Sequence, residues 1–597
     1  VDILLTTFFR EVNYDYYPLD EAIFRDHLKN WNNLTFSTLN KGPQELTGDL
    51  QFFPALLFQI LALALQFQPT DYDPELESLK YSASMSLDDL ASDYSESGAA
   101  LLHLLGKRDT TLITVQAGIL QTAFLRNCGM VPESWHLLSQ TLRDAQEIGL
   151  DQDLWGRSYR RTETTPEDAL ENVWLEQLQR RLWLILSMWD IQMAVALGRP
   201  TTIDLSRRGR PAFPIDASLP RNRREEAPSP RGEREPPTPL TMLLWMSELA
   251  APLWDISLLE KEPHESGLAK AEKMHNLINQ IEFHCPPFFR AKNPDTTFDL
   301  LPSCYWLPRA RPIFQSTFAF TKMVLHRPYI FTSFSSRTKA LKAGLDILRA
   351  QRTLFTLLTA THYKMSSLVL NSFDAAVLVA AIYILHPNEN KEDLEDALQH
   401  FEWGMERFSL MSCRNPMARS ALGVLTAIHV RLKKALDQSN TAERSLHSAV
   451  KSTSAVSLTT FPRRRASPSS SSPGRQPVHQ QHQSSSINNH TGPLQTRSAI
   501  LDRPEPALGI SSEWEAFSGG MSVPLDFDFS SMPPLQPMHD LLYNDLGTIG
   551  DSQMVDPQSA ELTAGTLDES LPSAGMWQFE GDFGDDSFWG FMNSYLP

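Results

Sequence analysis

From the first residue to about residue 439, apolar side chains recur three or four positions apart with little two-residue alternation, the period of helices that pack by one face. One such stripe is Trp135, Leu138, Leu142 and Ala145. Pro132 stands where a first helical turn tolerates it and Gly149 where a C-terminal cap belongs, so a helix is predicted between them. A second covers residues 171–197, with Leu175, Leu178, Leu182, Ile185, Trp189, Met193 and Ala196 on one stripe until Gly198 and Pro200 stop it. Further helical segments are predicted near 240–260, 266–284, 311–326, 337–360, 368–386, 391–411 and 415–436. No run reads as a sheet, so the predicted fold class is all-α, a large multi-helix domain. The apolar run 52–67, FFPALLFQILALALQF, is broken by Gln59 and Gln66. It falls short of the roughly 20 residues that span a bilayer, and reads as a buried core helix with no membrane partner.

The helical pattern fails in three places, and these divide the chain. Residues 205–239 are rich in Pro and Arg and poor in large apolar residues, which predicts an exposed loop interrupting a domain of residues 1–440. Residues 441–510 include SPSSSSPGRQPVHQQHQSSS and are expected to form a disordered Ser/Pro/Gln-rich linker, with almost nothing to bury against the entropy of ordering. Residues 511–597 form a tail. The whole chain has 597 residues, 42% hydrophobic, and a net charge of -18. The tail holds 15 Asp or Glu and no Lys or Arg, so the remainder carries only -18 + 15 = -3. The acidity belongs to the tail.

Candidate chemistry changes this picture little. The four cysteines, Cys128, Cys285, Cys304 and Cys413, stand singly, without the close pairs of a disulfide framework or a zinc site, and read as reduced thiols in an intracellular protein. No secretory leader pattern opens the chain. Phosphate-loop, His-Glu-x-x-His and nucleophile-elbow patterns are missing, and the histidines show no ligand spacing. The reading is therefore of a non-enzyme with no catalytic residues and no cofactor in this chain. The rival is a helical metal-dependent enzyme using Asp88, Asp89 and Asp93 of LDDLASD, carboxylates able in principle to bind magnesium as in the aspartate-rich motif of helical terpene synthases. Against it, no second metal-binding cluster follows, and the three aspartates fit an exposed acidic face near a helix N-terminus.

The most specific segment is 180–200, RRLWLILSMWDIQMAVALGRP. Arg180, Arg181 and Trp183 begin it, Asp190 stands alone among apolar neighbours, and Gly198, Arg199 and Pro200 end it. This resembles the middle regulatory domain of fungal zinc-cluster transcription factors, with their Arg-Arg-x-x-Trp helix, Asp, and Leu-Gly-Arg-Pro stop. LLTTFFREVNYDYYPLD (4–20) is similar to that domain's opening helix, RDAQEIGLDQD (143–153) to its Ala-x-x-Leu-Gly-Leu turn, and LHRPYI (325–330), with His326, Arg327 and Pro328, to the close of a later helix. The matching segments cover roughly residues 1–440. For each of these residues an architectural role is expected first: Trp183 and Trp189 in the core, Arg199 and Arg327 bonded to terminal carbonyls at helix ends. The resemblance implies a domain that regulates activity in response to a metabolite or partner, but no residue points to the effector.

The resemblance also implies a nuclear regulator of RNA polymerase II genes, acting as a homodimer on DNA through six cysteines holding two zinc ions. This chain lacks that module, and since the match begins within a few residues of Val1, the zinc cluster is expected upstream. The alternative is a coregulator without its own DNA-binding module. In the tail, acidic residues alternate with large apolar ones: Phe527 and Phe529, then Leu541, Leu542 and Tyr543, then Trp577, Phe579, Phe583, Phe588, Trp589 and Phe591. Carboxylate repulsion keeps such a segment extended and its rings available to apolar grooves of coactivators, the composition of an acidic activation tail. A solubilising tail is the plainer alternative, but solubility needs no tryptophans. In the linker, PRRRASP (462–468) offers a solvated charge run, an import signal, or a phosphorylation site at Ser467.

Overall fold

The computed structural model describes residues 1–455 apart from 107–109, 153–164, 206–210, 218–224 and 260–262, and only the backbone of 443 and 446–455. The tail, all of its aromatic anchors and Ser467 lie outside the described residues. Among those described, the chain is all-α, as predicted, with one isolated β-bridge between Ala217 and Pro230. The helices are α1 (Asp2–Thr7), α2 (Asn13–Tyr16), α3 (Glu21–Asn32), α4 (Phe36–Leu39), α5 (Gly48–Gln66), α6 (Leu87–Leu105), α7 (Leu112–Asn127), α8 (Val131–Glu147) and α9 (Pro166–Leu197). After the long loop come α10 (Pro239–Ser247), α11 (Ala250–Leu259), α12 (His264–His284), α13 (Leu307–His326), α14 (Phe334–Leu357), α15 (Ser366–Leu385), α16 (Leu394–Met411) and α17 (Pro416–Ala455).

Helix α9 runs 32 residues, about 48 Å at 1.5 Å per residue. It starts five residues before the apolar stripe predicts. Thr165 caps it, accepting from the Asp168 N–H at 3.2 Å while Asp168 accepts from the Thr165 N–H at 3.1 Å, and Pro166 fits the first turn. At its other end Gly198 adopts φ +62°, and the Arg199 N–H donates back to the Ala194 carbonyl at 2.9 Å. A side chain would strain that left-handed turn, so glycine ends the helix where the sequence places it.

Other ends depart from the predicted ones for identifiable reasons. The segment 240–260 is two helices, because Pro252 lacks an N–H and its ring opposes the carbonyl of Glu248 four residues back. Helix α13 begins at Leu307 with Pro308 in its first turn and tolerates Pro312 one turn later. Helix α17 passes the expected boundary at residue 440 and continues to Ala455. Met417, Ala421, Leu425, Ile428 and Leu432 bury its first half, and an established helix then propagates at little cost over polar residues.

The apolar run 52–67 is buried within α5, as a core helix should be. Its two glutamines have partners. Gln59 bonds α6 through Ser95, donating to its carbonyl at 2.8 Å and accepting from its hydroxyl at 2.9 Å, and Gly98 lets the helices approach, since a Cβ there would lie 2.7 Å from Gln59 Nε2. Gln66 accepts from Asn127 Nδ2 at 3.1 Å, and Asn127 Oδ1 in turn accepts from the Ser366 N–H at 3.1 Å, joining α5 and α7 to the start of α15. Length and composition alone would let 48–66, 239–259 and 366–385 cross a membrane. Here α5 and α15 are mostly enclosed by neighbouring helices.

The loop 205–239 separates an N-terminal half, α1–α9, from a C-terminal half, α10–α17. Its described residues are mostly exposed or half-buried, and several are anchored to the flanking helices. Asp216 accepts from the Thr241 hydroxyl at 2.9 Å and pairs with Arg231 at 3.3 Å, while Gln177 on α9 accepts from the Ile215 N–H at 2.8 Å. The halves share one core. They also share a half-buried ionic junction, in which Glu11 of the opening segment accepts from Arg309 on α13 and from the buried His362, each at 2.9 Å. Burial alone would raise the Glu11 carboxyl, but hydrogen bonds from His362 and Arg309 and their charges outweigh it and hold the group at about 2.

A folded-state value below the ordinary 4.5 means that Glu11 contributes stability above pH 4.5 and loses it as pH falls towards 2. Replacing Glu11 with Ala should lower stability by about 2 kcal/mol at pH 7, where it strands a half-buried Arg309. Urea denaturation across pH should show the gap to wild type closing in acid. A gap independent of pH would refute the junction.

Candidate functional site

The motif helix is where the opening segment, the first helical hairpin and the chain's exit meet. Arg180 forms an ordinary pair with Glu176 one turn earlier, at 2.6 Å. Arg181 is buried, its guanidinium stacked 4.1 Å above the Tyr17 ring, the residue that ends the opening helices in a left-handed turn. Trp183 is buried in the core. Trp189 meets Tyr16 edge to face at 5.2 Å and carries the Arg126 guanidinium 5.3 Å above its ring.

Asp190 has no solvent exposure. Its Oδ2 accepts from the backbone N–H groups of Thr202 and Ile203, both at 2.8 Å. Burial raises its pKa, and those backbone bonds oppose the rise. The isolated aspartate is thus the clasp that folds the Gly-Arg-Pro exit back onto α9. Arg199 departs from the expected helix-end contact: its backbone N–H satisfies the terminal carbonyl, while its guanidinium lies 4.6 Å over Trp135. Pro200 is exposed.

The later motif sits apart. His326 is fully buried, with Nε2 3.0 Å from His275 Nδ1 and Nδ1 3.3 Å from the Ser336 hydroxyl, tying α13 to α12 and α14. Burial and the nearby charges of His275 and Lys339 push its pKa down to about 3, so the ring is neutral at physiological pH. Arg327 is buried beside it and its charge acts on Asp374 of α15, while Pro328 is exposed. The carboxylates of the metal-enzyme rival do other work. Asp89 completes a capping box with Ser86, accepting from the Ser86 N–H at 2.9 Å, and Asp88 pairs with Lys364 at 2.5 Å. Among the described residues no three His, Cys, Asp or Glu side chains are placed to hold a metal ion.

A cavity of about 280 Å³ enclosed by both halves is lined by a few motif-helix residues together with others that the sequence did not single out. Trp189, Met193 and Arg199 come from α9 and its end, Asp15 and Tyr16 from α2, Arg126 from α7, Met246 from α10, Phe320 from α13, Gln351 from α14 and Asp374 from α15. Most of the wall is apolar. Asp15 and Asp374 are half-buried and line the cavity. Burial raises both carboxyls to about 6, offset in part by Arg126 and His362 for Asp15 and by Arg327 for Asp374. The one sequence signal that could have found this place is acidic residues inside otherwise apolar helices, NYDYY and NSFDAAV.

Comparison with known proteins agrees with the motifs. Residues 7–266 match the profile of the fungal specific transcription factor domain. The chain is also similar to the transcription factor xilB of Penicillium rubens, 24% identical over 417 residues that make up 64% of this chain and 59% of that protein. It is similar to the equisetin cluster transcription factor eqxF of Fusarium heterosporum, 23% identical over 388 residues, 59% of this chain and 51% of that protein. The chain thus carries a fungal specific transcription factor domain, and it spans between half and three fifths of the length of these curated relatives. The matched range stops inside α12, whereas the hydrophobic core runs on through α17.

Removing the Asp190 carboxylate leaves two buried backbone donors unpaired, each worth about 1–3 kcal/mol. Asp190→Ala should therefore destabilise the chain by about 3 kcal/mol, and Asp190→Asn, which keeps an acceptor oxygen, by about 1 kcal/mol. Equilibrium unfolding followed by circular dichroism measures both. Equal losses from the two variants would contradict the clasp.

Proposed function

We propose that this chain is part of a nuclear transcription factor for RNA polymerase II genes, residues 1–440 being its regulatory domain and residues 511–597 its activation tail. The observation that carries the reading is the fungal specific transcription factor domain over residues 7–266, supported by two relatives that are themselves named transcription factors. Such a regulator reads DNA through a basic module that inserts a helix in the major groove. The four cysteines here cannot supply a six-cysteine zinc cluster, and they stand as free thiols on separate elements, Cys285 and Cys304 buried. Sequence-specific DNA contact, and the homodimer that goes with it, are accordingly assigned to residues preceding Val1. No catalytic role is proposed for any residue of this chain.

Output falls to the tail. With 15 carboxylates and no basic residue over 511–597, it resists collapse and presents Trp577, Phe579, Phe583, Phe588, Trp589 and Phe591 to coactivators with apolar grooves and basic rims. Phe527, Phe529 and the Leu541, Leu542, Tyr543 group supply further anchors. Modification of Ser467 would change the charge of the adjacent arginine run and give the linker a switch.

Fused to an unrelated DNA-binding domain, residues 511–597 should activate a reporter gene, and combined replacement of Phe588, Trp589 and Phe591 by Ala should remove most of the activity without altering protein level. A silent fusion would overturn the activation role. An open reading frame upstream of Val1 without six cysteines would favour a coregulator instead.

A further inference from the structure

The cavity between the halves is unbalanced in a way that points to its ligand. Its two cations already have aromatic partners: Arg126 lies over Trp189 of the wall at 5.3 Å, and Arg199 lies over Trp135, outside the wall, at 4.6 Å. Its two carboxylates, Asp15 and Asp374, have no hydrogen-bond or ion-pair partner within contact distance among the described residues, and feel Arg126, His362 and Arg327 only through space. A third group differs from these half-buried carboxylates in being closed off from solvent. Gln351 is 3% exposed and lines the cavity, its amide nitrogen donates to the Ser316 hydroxyl at 3.3 Å, and its Oε1 accepts from nothing. A buried acceptor left unpaired weighs against folding unless a ligand satisfies it.

Helix geometry brings two of these groups into one neighbourhood. Helices α14 and α15 run antiparallel and touch closely at Gly344, where a Cβ would lie 2.9 Å from Val379. Two turns along α14 from that contact stands Gln351, and one to two turns back along α15 stand Asp374 and Asn371, both in the cavity wall. The remaining wall, with Met193, Met246, Phe320 and Leu354, is apolar. Every unsatisfied group is an acceptor, and the surface around them suits hydrocarbon.

We propose that this cavity is a binding site for a small organic cation, an amine on an apolar body, whose ammonium group donates to Asp374 and to the Gln351 carbonyl oxygen while the body fills the methionine and phenylalanine wall. Asp15 sets the second negative pole of the wall and selects against anions. Such a ligand touches both halves at once, so occupancy favours the arrangement in which they are joined.

The test is calorimetric titration of the full 597-residue chain with three probes of matched shape: 1-naphthylmethylamine, 1-naphthylmethanol and 1-naphthylacetate. The amine should bind saturably and roughly tenfold or more tighter than the alcohol, with the acetate weakest. Binding of the acetate as tight as the amine, equal binding of amine and alcohol, or no saturable binding of the amine up to about 1 mM overturns the proposal. This comparison needs no variant. Asp374→Asn should weaken the amine roughly tenfold while sparing the alcohol, and Met193→Trp, which fills the cavity without touching its charges, should abolish both. Amine binding that survives Met193→Trp in a chain with wild-type circular dichroism lies elsewhere and also defeats the proposal. Because the readout is binding, it stands or falls separately from the transcriptional reading.

Discussion

A helix about 48 Å long that passes through the interior has no side on which to leave a polar group wet. From Gln177 to Val195, α9 is buried almost continuously, so the polar and charged side chains along it are either met by the protein or left with unpaired atoms, as Gln179 Oε1 is. The answers organise the N-terminal half. Arg181 is met by the Tyr17 ring, Trp189 by Tyr16, and Asp190 by the two backbone amides of the segment that follows. The opening helices, α7 and α8, and the return of the chain are placed by these needs rather than by contacts of their own choosing.

The same demand for partners acts between the halves, and there it is met in two different ways. At the Glu11, Arg309 and His362 junction and at the Gln66, Asn127 and Ser366 chain of bonds, polar groups from distant segments satisfy one another, joining the two halves. A short distance away the cavity leaves Asp15, Asp374 and Gln351 Oε1 without protein partners. Other buried polar atoms, such as those of Arg181 and Arg407, also lack hydrogen-bond partners, but here an unpaired acceptor and two half-buried carboxylates come together around one opening. A long loop separates the two halves in sequence; its Ile215 N–H bonds to Gln177 of α9 and its Asp216 accepts from Thr241 of α10.

Much of this was legible from residue order alone. The all-α class and the helical segments follow from the three-to-four residue spacing of apolar positions, and the stop at Gly198 from the need for a left-handed turn, because these are local properties of a chain of L-amino acids. The motif 180–200 likewise announced the domain. Where local reading failed, a proline or a cap explains it. Pro252 split a segment read as one helix, and Thr165 with Asp168 opened α9 earlier than its stripe because Asp served where Glu or Gln is the usual signal.

By itself, then, the sequence determined the helical class, most of the helices, the stop at Gly198, the acidity of residues 511–597 and the resemblance to the fungal specific transcription factor domain. Only the tertiary structure decided what the buried polar residues do. Asp190 and Asp374 look alike in sequence, each a single aspartate in an apolar helix, yet one clasps a turn and the other faces an open cavity. The difference arises from segments far away in the chain, Thr202 and Ile203 in one case and the walls given by α2, α7, α9, α13 and α14 in the other. Pairing of a buried charge depends on what comes within about 3 Å of it in space, and helical periodicity carries no record of that distance.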